Sequence, residues 1–111
     1  MEITHTAFKH SDLLKISGRI DSATSPQLAD ALSKITDNGG YRIVLDLSEV
    51  SFISSAGLRV LISAQKTCKR YNRGEVVLAA VPANIMAALE LAGFTTLFKI
   101  FPETLEAVGS F

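Results

Sequence analysis

The apolar pattern changes period repeatedly along the chain, and each change marks a predicted element. Ile3 to Phe8 and Leu13 to Ile20 read as two strands joined by the polar turn Lys9 to Asp12. In the second, Leu14, Ile16 and Ile20 share one face while Lys15, Ser17 and Arg19 share the other, the period of two that marks a half-buried strand. A helix is predicted next. Thr24 or Ser25 can cap it, Pro26 suits its first turn, and Gln27 follows Thr24 in capping-box spacing. Leu28, Ala31, Leu32 and Ile35 fall on one helical face, and Asp37-Asn38-Gly39-Gly40 ends the helix, because glycine accepts the left-handed conformation that helix stops favour.

Tyr41 to Leu47 is a nearly unbroken apolar run, the pattern of a central strand covered on both faces. A second helix is predicted from about Ser55 to Asn72. Leu58, Leu61, Ile62, Ala64, Cys68 and Tyr71 form its apolar face, and Arg59, Ser63, Lys66 and Arg70 line the other side. Val76 to Val81 is another buried strand. Pro82 introduces a third helix carrying Ile85, Leu89 and Ala92 and stopped by Gly93; a strand near Leu97 to Phe101 and a helical turn after Pro102 complete the chain. The alternation implies an α/β fold, a mixed and mostly parallel sheet with about four helices packed on it. Partners of such folds meet the loops at the carboxyl ends of the strands. Three loops are expected there: Asp21 to Thr24, Ser48 to Ser55, and Val81 to Asn84.

The chain has 111 residues, enough for one core, so residues 1–111 are read as a single domain. With 11 acidic and 11 basic residues, no global field draws it to nucleic acid or to a membrane surface. Glu2, His5 and Lys9 interrupt the apolar stretch that a signal peptide needs, and no segment has the ~20 apolar residues of a membrane span. The expected location is the cytoplasm. Cys68, the single cysteine, has no partner for an internal disulfide and reads as a small buried hydrophobe. His5 and His10 stand without the cysteine or carboxylate cluster of a metal site, so neither a metal nor a cofactor is expected.

The segment from Asp46 to Arg59 leads from a buried strand into a helix, with Ser54 and Ser55 where the helix begins. The first amides of a helix lack internal acceptors and carry partial positive charge. A serine hydroxyl satisfies one of them as a cap, and a phosphate is accommodated still better. Phosphorylation there adds roughly −1.5 to −2 charges, an obstacle to any partner fitted to the neutral serine.

Gly18-Arg19-Ile20-Asp21, Asp46-Leu47-Ser48, Phe52-Ile53-Ser54-Ser55-Ala56-Gly57-Leu58 and Leu91-Ala92-Gly93-Phe94, in that order and spacing, resemble the signature of the STAS domain family in its stand-alone anti-sigma-factor antagonist branch. The resemblance implies partner switching. An unphosphorylated antagonist binds an anti-sigma factor that is also a serine kinase, and so frees a sigma factor. The kinase phosphorylates the antagonist with ATP and inactivates it, and a PP2C-type phosphatase reverses the step. The family's phosphoacceptor precedes the motif glycine by two positions, which is Ser55 relative to Gly57. Many members have aspartate just before that serine; Ser54 stands there, and is the second candidate acceptor. The resemblance implies partner contacts at Asp21, Ser22, Ser54, Ser55, Gly57 and Arg59.

Each residue also has a plainer reading. Asp21 is a helix-entry aspartate bonding loop amides, Asp46 fixes the backbone after its strand, and Gly57 permits close approach of helix and sheet. Arg59, Lys66 and Arg70, with Lys69 and Arg73 nearby, make a basic stripe that reads mainly as a solvated face. Phe94 and Phe98 read as core. The chain carries no GxSxG elbow, no GxxxxGK[ST] phosphate loop and no GxGxxG fingerprint, so it is expected to be a substrate of phosphoryl transfer and not an enzyme. The main rival is a STAS domain without a phosphorylation cycle, such as the small cytoplasmic subunit of a lipid-transport ATP-binding-cassette complex. A small-ligand sensor would need a pocket that the sequence does not advertise.

Overall fold

A computed structural model describes all 111 residues. β1 (Glu2–Ala7) and β2 (Asp12–Ile20) form an antiparallel hairpin. Helix α1 (Ser25–Asp37) leads to β3 (Arg42–Ile53), and α2 (Ser55–Lys69) with a short 3-10 turn (Arg70–Asn72) leads to β4 (Glu75–Ala79). Helix α3 (Ala83–Leu91), β5 (Ile100–Phe101) and α4 (Thr104–Gly109) complete the order. The sheet runs β1-β2-β3-β4-β5, with β2 to β5 parallel. Each crossover therefore steps in the same direction, and crossovers of one hand place their helices on one face. The main core bears this out. Ile43, Leu45 and Leu47 of β3 meet Leu28, Leu32 and Ile35 of α1, Leu58 and Leu61 of α2, and Ile85 and Leu89 of α3. The opposite face is thinly covered: Val44, Val77 and Ala79 pack with Ala107 of α4, flanked by Phe101 and Phe111.

The fold class and the element order agree with the pattern of the sequence, and five local features differ. The strand predicted to end at Leu47 continues to Ile53 as the long strand β3, so Ser48 to Ile53 is not a loop. It stays paired with β2 beyond the reach of β4, as far as Arg19↔Phe52 and Ile20↔Ile53. Register shifts between Lys15 and Ser17 and between Gly18 and Arg19 accommodate the extension, and Gly18 takes φ +96° at the second irregularity. Helix α2 stops at Lys69 because Tyr71 and Asn72 turn left-handed, at φ 59° and 55°, which leaves Tyr71 84% exposed instead of on the apolar face. The capping box before α1 does not form. Thr24 occupies the cap position, but its hydroxyl bonds the Arg19 carbonyl and the Asp21 amide, and Gln27 is exposed. The strands expected over Val76–Val81 and Leu97–Phe101 are shorter, at Glu75–Ala79 and Ile100–Phe101.

One polar core residue stands outside the predicted faces. Gln65, 6% exposed on α2, accepts from the Val76 amide and donates to the carbonyls of Val76 and Leu97. It ties the helix to the amino end of β4 and to the segment before β5.

Candidate functional site at the start of the second long helix

The site is built where β2 and β3 end together. Ile53 is buried, and the next residue, Ser54, is the only one between strand and helix. Its backbone is extended (φ −89°, ψ 171°), so its amide still continues the ladder, donating to the Ile20 carbonyl at 2.8 Å. Its side-chain oxygen turns the other way and accepts from the Gly57 amide at 3.2 Å, while its carbonyl accepts from Leu58. Ser54 is thus the N-cap of α2.

Ser55 opens the helix with its side chain exposed. The amides of Ser55 and Ala56, in the first turn, have no intrahelical acceptor and lie at the positive end of a 15-residue helix. Arg59 is exposed one turn along, on the same side as Ser55 by helical spacing, and forms no ion pair. An anion on the Ser55 oxygen would meet free amides and a guanidinium without entering the core.

Gly57 sets how closely the helix approaches the sheet. A Cβ built there would lie 2.6 Å from Ile20 Cγ2, 2.9 Å from Ile53 Cγ1 and 3.3 Å from the Ile20 carbonyl oxygen. No side chain fits without moving the helix start, so the Cα of Gly57 is packed against the sheet.

Asp21, on the β2–α1 loop, accepts the amides of Ala23 and Thr24 at 3.0 Å each, and Arg19 Nε lies 3.8 Å away. The bond from the Thr24 amide is the chief cause that holds its carboxyl below the usual aspartate range; desolvation, the next largest effect, opposes it, and the Thr24 hydroxyl, the Ala23 amide and Arg19 add to the lowering. Its carboxylate orders the loop, and Ser22 next to it is exposed. Asp46, 8% exposed, has burial working against its charge. The Ser48 side chain and amide, the Thr104 side chain and the Lys15 ammonium outweigh that penalty, so its carboxyl too stays below the usual range. Asp46 thus holds the Ser48 amide within β3, away from the serine pair.

Three residues complete the surface that the sequence did not single out. Arg19 stacks over the Phe52 ring at 4.3 Å, and Phe52 stays 38% exposed beside the serine pair. Asn84 of α3 donates to the Ser51 carbonyl at 2.9 Å, fastening the β4–α3 loop to β3 where β4 no longer pairs with it. An exposed aromatic preceding a serine pair was the available signal for Phe52. The contribution of Asn84 depends on a contact across 33 positions and has no local signature.

The remaining candidates lie elsewhere. Cys68 is buried, and burial raises its thiol to about 11 against the opposing charge of Arg73. His5 pairs with Asp12 at 2.7 Å at the far end of the sheet, and His10 is exposed in the hairpin turn. Of the basic stripe, Lys66, Lys69 and Arg70 are exposed, whereas Arg73 folds back on the end of α2 and bonds the Thr67 and Arg70 carbonyls.

Comparison with known proteins agrees with this geometry. The sequence profile described as "STAS domain" matches residues 6–107. BtrV of Bordetella bronchiseptica is 33% identical over 96 residues, covering 86% of this chain and 82% of that protein. The anti-sigma-B factor antagonist of Listeria monocytogenes is 30% identical over 100 residues, covering 90% and 86%. The fold also matches the Bacillus anti-sigma factor antagonist SpoIIAA in its unphosphorylated form, with a TM-score of 0.84 at 12% identity over 98% of this chain and 95% of that one. With residues 6–107 matched by the family profile, this chain belongs to the STAS domain family.

Proposed function

We propose that this protein is an anti-sigma-factor antagonist that acts by partner switching in the cytoplasm, with Ser55 as its switch. The observation that carries the reading is the contrast between the two adjacent serines. Ser54 Oγ is engaged in capping α2, whereas the Ser55 hydroxyl is exposed on the first turn. In the unmodified state, the surface formed by Asp21, Ser22, Ser55 and Arg59, with Arg19 and Phe52 at its edge, receives an anti-sigma factor that is also a serine kinase.

The kinase transfers the terminal phosphoryl group of ATP to Ser55 Oγ. The hydroxyl proton passes to a base of the kinase, ADP leaves, and a new O–P bond stands on the antagonist. A PP2C-type phosphatase hydrolyses that bond with water and releases phosphate. The antagonist supplies the acceptor and no catalytic group. The phosphate sits over free helix amides and near Arg59, so the modified protein remains folded while its binding surface gains charge and bulk.

The test is incubation with the cognate anti-sigma kinase and ATP, followed by mapping of the phosphate by mass spectrometry. One phosphate at Ser55, absent in Ser55→Ala, is expected. Ser55→Asp should bind the kinase at least tenfold more weakly than wild type, with unchanged thermal stability. Phosphate on Ser54, or undiminished binding by Ser55→Asp, refutes the assignment.

A further inference from the structure

The pole opposite Ser55 carries a feature that the switch does not use. The hairpin turn between β1 and β2, the carboxyl end of α1, the amino end of β3 and the segment after α2 enclose an open cleft of about 510 Å³. Lys9, Lys34, Arg42 and Arg73 line it, and none of them forms an ion pair. The only carboxylate in the lining, Asp12, is already bound to His5 at 2.7 Å. The chain as a whole has zero formal charge, so this grouping is a local concentration of positive charge.

Three of the four cations take no part in finishing the helices beside them. At the end of α1 the amides of Asn38 and Gly40 donate to the Ile35 carbonyl, Gly39 donates to Thr36, and Asn38 Nδ2 donates to Lys34. At the end of α2, Arg73 alone bonds the Thr67 and Arg70 carbonyls, through Nη2 and Nε. Its guanidinium lies 3.8 Å over the Tyr41 ring, so its remaining nitrogen, Nη1, is held in a fixed orientation. The wall is rigid as well. A Cβ on Gly40 would come within 2.7 Å of Asp12 Oδ2 and of Ile35 Cγ2, so the turn and the helix end are packed against each other.

A second observation points to a ligand. Ser11 lines the same cleft, is 5% exposed, and its Oγ has no hydrogen-bond partner. It is the one buried side-chain polar atom of the chain left in that condition. Buried hydroxyls are ordinarily paired, and an orphan in a cleft lined by cations is a donor without its acceptor.

We propose that this cleft binds a small multivalent oxyanion, a diphosphate or polyphosphate group. A single negative charge would leave most of the cations uncompensated, whereas a diphosphate offers several acceptor oxygens to Arg42, Arg73, Lys34 and the Ser11 hydroxyl together. The four cations line one concavity of ligand size, which favours a small molecule over a polyanionic chain.

The test is titration of the unmodified protein with inorganic pyrophosphate at physiological salt, followed by calorimetry and amide chemical shifts. Saturable one-site binding is expected, with shifts at Ser11, Gly39, Gly40 and Arg42. The double variant Lys34→Ala/Arg42→Ala should weaken it at least tenfold, and Ser11→Ala severalfold without lowering the melting temperature of the free protein. Lys99→Ala, which removes a lysine outside the cleft, should stay within twofold of wild type. Absence of saturation, shifts centred elsewhere, or equal losses in Lys99→Ala and the double variant would overturn the proposal. Equal affinity for orthophosphate would overturn its multivalent part. No kinase is involved, so the outcome is independent of the Ser55 switch.

Discussion

Replacing Gly57 with alanine sets two effects of opposite sign against each other. Alanine is the better helix former by roughly 0.5–1 kcal/mol, so on propensity alone the variant would gain stability. The structure argues for a loss. Apolar carbons rest about 3.5–4.0 Å apart, and the added Cβ would stand 2.6 Å from Ile20 Cγ2 and 2.9 Å from Ile53 Cγ1. Ile20 is 0% and Ile53 6% exposed, both are β-branched, and the Ile20 carbonyl is held by the Ser54 amide. None of these can rotate aside, so the first turn of α2 has to lift by about 1 Å. Overpacking of this kind costs about 1–3 kcal/mol; with three contacts to groups that cannot yield the cost falls in the upper half of that range, and subtracting the propensity gain leaves a net loss of about 1–2.5 kcal/mol. Urea unfolding followed by circular dichroism would read this as a lower midpoint at unchanged slope, with Tm lower by roughly 4–10 °C. An alanine variant as stable as wild type, or more so, would refute the close approach of helix and sheet.

The remaining predictions concern groups inside the fold. Gln65→Leu should destabilise by about 2–3 kcal/mol in the same urea assay, because the Val76 amide and two carbonyls lose their partner in a buried setting; a loss under 0.5 kcal/mol would show that water replaces the side chain. The depressed carboxyl of Asp46 makes the native state the poorer proton binder. Its contribution is therefore full above the unfolded aspartate pKa of about 4 and fades as pH falls through the lower native value. Asp46→Asn should lower stability at pH 7 and reduce its fall between pH 4 and pH 2, and identical acid profiles for variant and wild type would contradict this. Cys68, with its thiol raised to about 11, should resist Ellman's reagent at pH 8 in the folded protein and react fully once unfolded; rapid labelling of the native protein would mean that α2 opens locally.

What the sequence made legible follows from how local each cause is. The paired faces of β2, the apolar run of β3 up to Leu47 and the glycine stop after α1 are written in neighbouring residues, and the structure has them where the pattern put them. The serine pair at a strand-to-helix junction was legible for the same reason. The extension of β3 was not, because Val50 and Ile53 are buried while Ser48, Glu49, Ser51 and Phe52 are exposed. That spacing of three belongs to a strand paired on one side only, against a partner with shifted register. Gln65 escaped attention because a glutamine on an apolar helix face explains itself only when the strand edge opposite is known. The end of α2 was marked more faintly, by Asn72 and Gly74, against a periodicity that continued to Tyr71.

The short link between β3 and α2 has a consequence for how Ser55 can be recognised. Ser54 is fastened to Ile20 through its amide and to Gly57 through its side chain, so the hydroxyl beside it is displayed on a folded platform and not on a pliable loop. An enzyme acting there reads a conformational epitope assembled from residues far apart in the chain. A linear peptide copied from Phe52 to Arg59 lacks that epitope, and its serine would be a poor surrogate for the one in the intact domain.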